Sequence, residues 1–168
     1  MKNIILIGMP GAGKSTVGVL LAKRLAMQFI DTDLLIQNQT GKPLQTIVDE
    51  QGYLHLRAIE EEVIRKLNIS NAVIATGGSA VYSESAMKHL RSNGTVIYLL
   101  LPEEQLLERL TNYTTRGIAK APKQSFHDLF GERTTLYRKY GEIVIDCRGK
   151  NQDGIVSEII LNKVHSGA

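Results

Sequence analysis

Residues 8–15 decide the fold, and they read Gly-Met-Pro-Gly-Ala-Gly-Lys-Ser. This segment fits the pattern G-x-x-x-x-G-K-[ST]; it directly follows an apolar run at Ile4–Ile7 and precedes an amphipathic stretch. A preceding strand and a following helix are the context in which the pattern binds phosphate. Its glycines let the backbone approach an anion, and amide N–H groups at the helix N-terminus point at that anion. The pattern therefore predicts a nucleotide site, rather than a glycine-rich turn with an exposed lysine.

Outside residues 8–15, short β-branched runs alternate with longer amphipathic stretches, which is typical of βα units on a parallel sheet. The predicted strands are 4–7, 29–31, 72–76, 95–101 and 142–146. The predicted helices are 14–26, 33–39, 44–51, 54–67, 83–92, 103–110, 125–140 and 153–164. Because the strands are almost continuously apolar, we expect an α/β fold with helices on both faces of the sheet.

Length and composition exclude several classes of protein. A chain of 168 residues with 20 Lys+Arg, 17 Asp+Glu and one cysteine predicts a single domain, 1–168, without an intramolecular disulfide. No basic run exceeds two residues, so we expect no nucleic-acid partner. Apolar runs such as 96–101 are too short to cross a bilayer, and the N-terminus does not resemble a signal peptide. We expect a cytoplasmic protein without a membrane partner, and a monomer because no large apolar surface stripe is evident.

Acidic residues end the second predicted strand as Asp31-Thr32-Asp33. In an extended segment, residues i and i+2 project to the same side, and ligands of open α/β sheets gather beyond the carboxyl ends of the strands. Repulsion would raise the pKa of one carboxylate, unless a cation such as Mg²⁺, held together with Ser15, neutralises the pair. The alternative is an aspartate that only caps the next helix at Asp33.

Two further segments offer candidate binding groups. The third predicted strand ends in Gly77-Gly78, which is consistent with close approach of the backbone to a ligand or with a plain tight turn. Arg57 and Glu60 are spaced i, i+3 on a predicted helix, so they form either a pair that holds the guanidinium rigid or a surface ion pair. The aperiodic segment at about 112–124 is predicted to be a lid.

These motifs occur in an order and at a spacing that resemble shikimate kinase along nearly the whole chain. The matching motifs are residues 8–18, Asp31-Thr32-Asp33, Arg57-x-x-Glu60, Thr76-Gly77-Gly78, Arg116 and Arg133-x-x-Leu136-Tyr137. The resemblance implies a three-layer P-loop kinase fold, with a five-stranded parallel sheet of order 2-3-1-4-5 and a mobile lid. It also implies ATP and Mg²⁺ as cofactors. The implied reaction is transfer of the γ-phosphoryl group to the 3-hydroxyl of shikimate, in the route to chorismate and aromatic amino acids.

The resemblance also implies roles for individual residues. The implied catalytic residues are Lys14, Asp33 and Arg116. The implied nucleotide-binding residues are Gly11, Ala12, Gly13, Lys14, Ser15, Thr16, Arg109 beside the adenine, and Arg116 in the lid. The implied shikimate-binding residues are Asp33, Arg57, Gly77, Gly78, Ser79 and Arg133. The implied metal ligands are Ser15 and Asp31.

The chain departs from the usual family pattern at two points near the implied site. Ser79 stands where a third glycine is usual, which adds a hydroxyl close to the acceptor. Gly117 follows Arg116 where proline is usual, and we expect this glycine to loosen the lid. Two other functions stay open at this stage. One is a related kinase acting on another small hydroxylated acid, and the other is a catalytically weakened nucleotide-binding protein.

Overall fold

The sheet has five parallel strands in the order β2-β3-β1-β4-β5, as predicted. The computed structural model describes residues 2–110 and 116–166, with side chains up to residue 162. The strands are β1 Asn3–Ile7, β2 Gln28–Asp31, β3 Ala72–Ala75, β4 Gly94–Leu100 and β5 Ile143–Asp146. The helices within the described residues are α1 Lys14–Leu25, α2 Thr32–Thr40, α3 Leu44–Gln51, α4 Tyr53–Lys66, α5 Glu84–Asn93, α6 Glu103–Arg109, α7 Phe126–Tyr140 and α8 Gln152–Ser166.

Strand β1 lies at the centre of the sheet, and all five of its residues are buried. Ile5 pairs with Ile74 of β3 on one side and with Val96 of β4 on the other. A strand covered on both faces needs apolar side chains at every position, not only at alternate ones. This explains why the first strand is continuously apolar from Ile4 to Ile7, up to the glycine-rich loop at residues 8–15, named the phosphate loop below.

Helices cover both faces of the sheet, as predicted. Helix α1 packs on β1, β2 and β3 and against α8, while α5 and α7 pack on β4. The helices are divided between the two faces because crossovers between parallel strands are right-handed. The chain moves from β1 to β2 in one direction across the sheet and then from β2 to β5 in the other, so the connecting helices lie on opposite faces. The main core forms between these layers. A second apolar cluster joins α2, α3 and α4 and comprises Ile36, Ile47, Leu56, Val63 and Ala119.

The segment 116–124 packs against that second cluster through Ala119. Gly117 has φ +65°, its N–H donates to Gln45 Oε1 at 2.9 Å, and a Cβ at this position would collide with the first residues of α3. The expectation that Gly117 loosens the chain is therefore wrong for the described segment, because the missing side chain lets the backbone contact α3 closely. Residues 112–115 of the predicted lid lie outside the described residues, and lid movement stays a prediction.

The element boundaries fall within one or two residues of those predicted. Helix α2 begins at Thr32, because the carboxylate of Asp31 caps it by accepting from the backbone N–H groups of Asp33 and Leu34. A 3₁₀ turn at Ala80–Tyr82, which was not predicted, precedes α5. Within the two described stretches of chain, no helix has both the length and the hydropathy to cross a bilayer.

Gly94→Ala tests the close packing at the start of β4. A Cβ at Gly94 would lie 2.5 Å from both Asn3 O and Ile5 Cδ1 in the neighbouring strand. We therefore expect the free energy of unfolding, measured by urea denaturation, to fall by about 1–3 kcal/mol. Gly131→Ala is the matched control, because its Cβ would meet no atom within 4 Å inside α7, and it should gain about 0.5–1 kcal/mol. Equal stability of the two variants would contradict this account.

Candidate active site

A cavity of about 560 Å³ opens at the carboxyl ends of the central strands. Most of the predicted site residues line it, namely Gly11, Gly13, Lys14, Ser15, Thr16, Asp33, Gly77, Gly78, Ser79, Arg109, Arg116 and Arg133. Three predicted residues, Ala12, Asp31 and Arg57, lie behind this wall. Ala12 is buried with its N–H donating to Met9 O at 3.1 Å, while Asp31 and Arg57 touch residues of the wall.

The phosphate loop curls around the Lys14 side chain. Gly11 and Gly13 have φ values of +85° and +94°, which favour glycine because L side chains are disfavoured there. Lys14 is 8% exposed, and its ammonium donates to Gly8 O at 2.7 Å and to Met9 O at 2.9 Å. Burial lowers the pKa of Lys14 to about 8, against the opposing attraction of Asp33. The loop therefore holds a cation at the start of α1, where an anion is also favoured by the helix N-terminus.

Asp31 joins the second strand to the phosphate loop. Its Oδ2 accepts a hydrogen bond from Ser15 Oγ at 2.6 Å, while its Oδ1 caps α2 by accepting from Asp33 N at 3.0 Å. The alternative in which Asp33 serves as the cap is therefore wrong. Because Asp31 supplies the cap, the carboxylate of Asp33 is left on the cavity wall.

Two buried carboxylates lie on either side of Gly77. A Cβ at Gly77 would collide with Glu60 Oε1 and Asp33 Oδ1, so any other residue there would displace one or both carboxylates. Glu60 is 2% exposed; its Oε2 accepts from the Ser79 hydroxyl, and its Oε1 has no hydrogen-bond partner. Burial raises the pKa of both carboxyl groups, with added repulsion from Asp31 on Asp33 and from Asp33 on Glu60. The cavity thus presents oxygens that are poorly solvated and ready to accept hydrogen bonds.

The predicted pairing of Arg57 with Glu60 is wrong. Spacing i, i+3 puts both residues on one side of α4, but Glu60 turns to Ser79 while Arg57 stacks on an aromatic ring. The Arg57 Cζ lies 3.5 Å from the centre of the Tyr82 ring and 5.1 Å from that of Tyr53. Its guanidinium is therefore held by ring faces and not by a carboxylate.

Arg57 and Arg133, named the arginine pair below, converge on one oxygen. Arg57 Nη2 donates to Ala119 O at 3.2 Å, and Arg133 Nη2 donates to the same oxygen at 2.9 Å. Arg133 is 1% exposed and comes from α7, whereas Arg57 comes from α4. The structure therefore brings together two guanidinium groups that are 76 positions apart in sequence, as the residue numbers show.

Backbone contacts fix the glycine pair in front of these groups. Gly77 N–H donates to Thr32 Oγ1 at 3.0 Å, and the Tyr137 hydroxyl donates to Gly78 O at 2.6 Å. A Cβ at Gly78 would lie 2.6 Å from Arg133 Nη1. Both glycines line the cavity, and close approach of their backbone to a ligand stays a prediction.

Glu60, Tyr82 and Thr32 take part in the site, although the sequence assigned Glu60 to an ion pair and Tyr82 and Thr32 to nothing. Glu60 was recognisable from the Arg57-x-x-Glu60 motif, but the motif indicates only that the two residues share a helix face. No sequence pattern indicated that Tyr82 belongs to the site, because its contact with Arg57 depends on how the 3₁₀ turn packs on α4.

The remaining predicted arginines, Arg109 and Arg116, also line the cavity. Arg109 Nη1 donates to Gly11 O at 3.3 Å, and Arg116 is exposed on the wall next to Gly117. Their roles beside the adenine and over the phosphates stay predictions.

The sheet is parallel with the order 2-3-1-4-5, and the phosphate loop joins its central strand to a helix. Acidic residues and arginines line the cavity beside that loop. This is the arrangement of a P-loop kinase. The profile of the family described as "Shikimate kinase" matches residues 10–163. The chain belongs to the shikimate kinase family.

Individual relatives agree with that membership. The shikimate kinase of Persephonella marina is 37% identical over 161 residues, which cover 95% of this chain and 98% of the relative. Among solved structures, shikimate kinase from Acinetobacter baumannii in complex with shikimate has a TM-score of 0.91 at 30% identity, covering 99% of this chain and 94% of that one. Shikimate kinase from Aquifex aeolicus has a TM-score of 0.86 at 34% identity and covers 98% of both chains.

The lowered pKa of Lys14 predicts that kcat/KM for ATP decreases at high pH. As pH rises through about 8, the ammonium of the free enzyme loses the charge that attracts the phosphates. We expect kcat/KM for ATP to fall above that pH, since this ratio reports groups of the free enzyme. The ratio measured from pH 6 to 10 checks this; in Lys14→Ala it should be low at every pH while the melting temperature is retained. A flat profile of the unmodified enzyme to pH 10 would contradict the lowered pKa of Lys14, and an undiminished ratio in Lys14→Ala would assign Lys14 no part in nucleotide capture.

Proposed function

We propose that this chain phosphorylates the 3-hydroxyl of shikimate with ATP and that the residues lining its main cavity perform the transfer. The observation that carries the assignment is one shared cavity, in which Lys14 of the phosphate loop faces the same space as Asp33 and Arg133. A phosphate donor and a carboxylated alcohol can meet there, because the groups proposed to bind each of them line the same space.

Asp33 is the residue proposed to orient the attacking hydroxyl. Its carboxylate lies on the cavity wall next to Gly77, and burial together with Asp31 raises its pKa above the usual range. A carboxylate with a raised pKa is a stronger acceptor for the hydroxyl proton than an ordinary aspartate. In a loose transition state the proton leaves late, so the main task of Asp33 is to hold the oxygen in line.

Lys14 and Arg116 are proposed to neutralise the charge on the transferred group. Catalysis of phosphoryl transfer consists chiefly of positioning and electrostatic stabilisation, because the protein forms no covalent intermediate. Lys14 belongs to the phosphate loop and Arg116 to the segment 116–124, and both line the cavity. Two cations from different segments are thus available to the space in which the negative charge is spread.

The arginine pair is proposed to bind the carboxylate of the acceptor. Guanidinium groups match a planar carboxylate because each can donate two parallel hydrogen bonds, which a lysine does not reproduce. Arg57 and Arg133 already converge on a single oxygen, that of Ala119. The arginine pair thus fits an anionic group of the acceptor, and membership of the shikimate kinase family favours a carboxylate as that group.

Mg²⁺ fits the Ser15 and Asp31 side chains. Their oxygens are hard donors, they lie 2.6 Å apart beside the phosphate loop, and Mg²⁺ takes few protein ligands when phosphates and water complete its shell. Across the described stretches of chain, no three His, Cys, Asp or Glu side chains cluster as a metal site. We therefore propose Ser15 as a ligand with Asp31 holding it or its bound water. When bound, Mg²⁺ would neutralise charge on the β- and γ-phosphates.

Release of ADP with a panel of acceptors tests the assignment. The panel contains shikimate, its methyl ester, quinate and AMP, and turnover is measured with a coupled ADP assay. We expect shikimate to have the highest kcat/KM by at least about 10²-fold, because the ester lacks the charge that the arginine pair binds. Preference for another hydroxylated acid would support a related kinase instead. ATP binding without turnover of any acceptor would support a nucleotide-binding protein.

Asp33→Asn tests the role of the carboxylate separately from acceptor binding. The amide keeps the shape of the side chain but accepts a proton poorly, so we expect kcat to fall by about 10²–10⁴-fold. Asp49→Asn, an exposed site on α3, is the matched control and should leave kcat unchanged. Steady-state kinetics with shikimate and ATP give both values, and a loss below about threefold in Asp33→Asn would assign Asp33 a structural role.

A further inference from the structure

The Arg57 guanidinium is held between two tyrosine side chains. Its Cζ is 3.5 Å from the Tyr82 ring centre, a distance that places the cation directly on the ring, and 5.1 Å from the Tyr53 ring centre. Both distances are within the range of about 6 Å over which an aromatic face attracts a cation. Tyr82 is therefore the nearer and more strongly coupled of the two rings.

A ring face holds a cation without using its N–H groups. A carboxylate partner would accept two of the guanidinium hydrogen bonds and cancel its charge, which would leave little for a ligand. Among the ion pairs of the described residues, none includes Arg57 or Arg133. The buried Nε atoms of both arginines also have no hydrogen-bond partner. Aromatic support thus leaves the charge of Arg57 uncancelled, and the Nη2 hydrogen bonds of both arginines go to the neutral carbonyl of Ala119.

Tyr82 also reaches the second arginine. The Arg133 Cζ lies 5.5 Å from the same ring centre, so one ring is within range of both cations of the arginine pair. The negative ring face lowers the cost of placing two like charges close together. At its far end the Tyr82 hydroxyl donates to Glu132 Oε1 on α7, next in sequence to Arg133. The ring is thereby fixed relative to both α4 and α7.

The carbonyl oxygen of Ala119 shows where the two guanidinium groups aim. Arg57 and Arg133 donate to it from 3.2 Å and 2.9 Å, and Ala119 lies on the cavity wall. An oxygen that receives both donors marks a point at which an anionic oxygen would be held more strongly than this neutral one, since charge-assisted hydrogen bonds are about twice as strong. The orientation set by Tyr82 is therefore the orientation that carboxylate binding needs.

We propose that Tyr82 is a positioning residue for acceptor recognition: its ring holds the arginine pair so that the guanidinium groups converge beside Ala119 O, where the acceptor carboxylate binds. This inference rests on the proposed function, because the carboxylate is that of shikimate. Tyr82 acts through the arginines and does not touch the reacting atoms. Its effect is on acceptor affinity, and ATP affinity is independent of it.

The test distinguishes the effect of the Tyr82 ring on shikimate binding from the effect of its hydroxyl and from the effect of filling the same space with other atoms. Tyr82→Phe keeps the ring, whereas Tyr82→Leu and Tyr82→Met remove it and fill the space with aliphatic atoms. Equilibrium binding of shikimate and of its methyl ester to the whole enzyme is measured by calorimetry, alongside KM values and melting temperatures. We expect both ring-free variants to weaken shikimate binding about tenfold, with Tyr82→Phe and KM for ATP within twofold of the unmodified enzyme.

Binding of the methyl ester shows whether Tyr82 positions the arginine pair or only maintains the structure of the acceptor site. Because it lacks the carboxylate charge, the ester should bind the unmodified enzyme and the ring-free variants almost equally weakly. Tyr53→Leu is the matched control, since its more distant ring should cost about twofold at most. Equal losses for shikimate and ester, or a loss in Tyr82→Phe as large as in Tyr82→Leu, would overturn the inference while shikimate turnover stands. Failure of the unmodified enzyme to bind or turn over shikimate would overturn the proposed function as well.

Discussion

The parallel arrangement of the sheet, with β1 at its centre, is the constraint on which every other feature of the site depends. Parallel strands end at the same edge, so the segments after β1, β2 and β3 meet there although they are far apart in sequence. The first segment supplies the phosphate loop, the second the acids Asp31 and Asp33, and the third the glycine pair Gly77-Gly78. A different strand order would place these groups on separate parts of the surface.

Within that frame the charges are arranged so that few of them cancel in pairs. Lys14 donates to loop carbonyls, Glu60 accepts from Ser79, and Arg57 lies against Tyr82. Each charged group is thus held by a neutral partner, which keeps it in place without consuming its charge. Burial disfavours the charged form of each group, because it removes the group from water. The raised pKa values of Asp33 and Glu60 and the lowered pKa of Lys14 follow from this desolvation.

Several features of the site were predictable because they depend on local sequence. The phosphate loop is recognisable from eight consecutive residues, and the strands from runs of buried apolar residues such as Ile4, Ile5, Leu6 and Ile7. The 3₁₀ turn Ala80–Tyr82 was missed, since three residues carry no periodicity. The Arg57 and Glu60 pairing was predicted wrongly, because helical spacing places two side chains on one face but does not select their partners. Those partners, Tyr82 and Ser79, come from a different part of the chain.

The sequence by itself determined the order of strands and helices, the phosphate-binding loop and the family, since each depends on short-range pattern or on motif order along the chain. Only the tertiary structure decided that Asp31 caps α2 while Asp33 lines the cavity, that Gly117 packs on α3, and that the arginine pair shares Ala119 O. The physical reason is that a side chain's partner depends on distances across the fold. Those distances follow from the packing of whole elements, which no local pattern in the chain encodes.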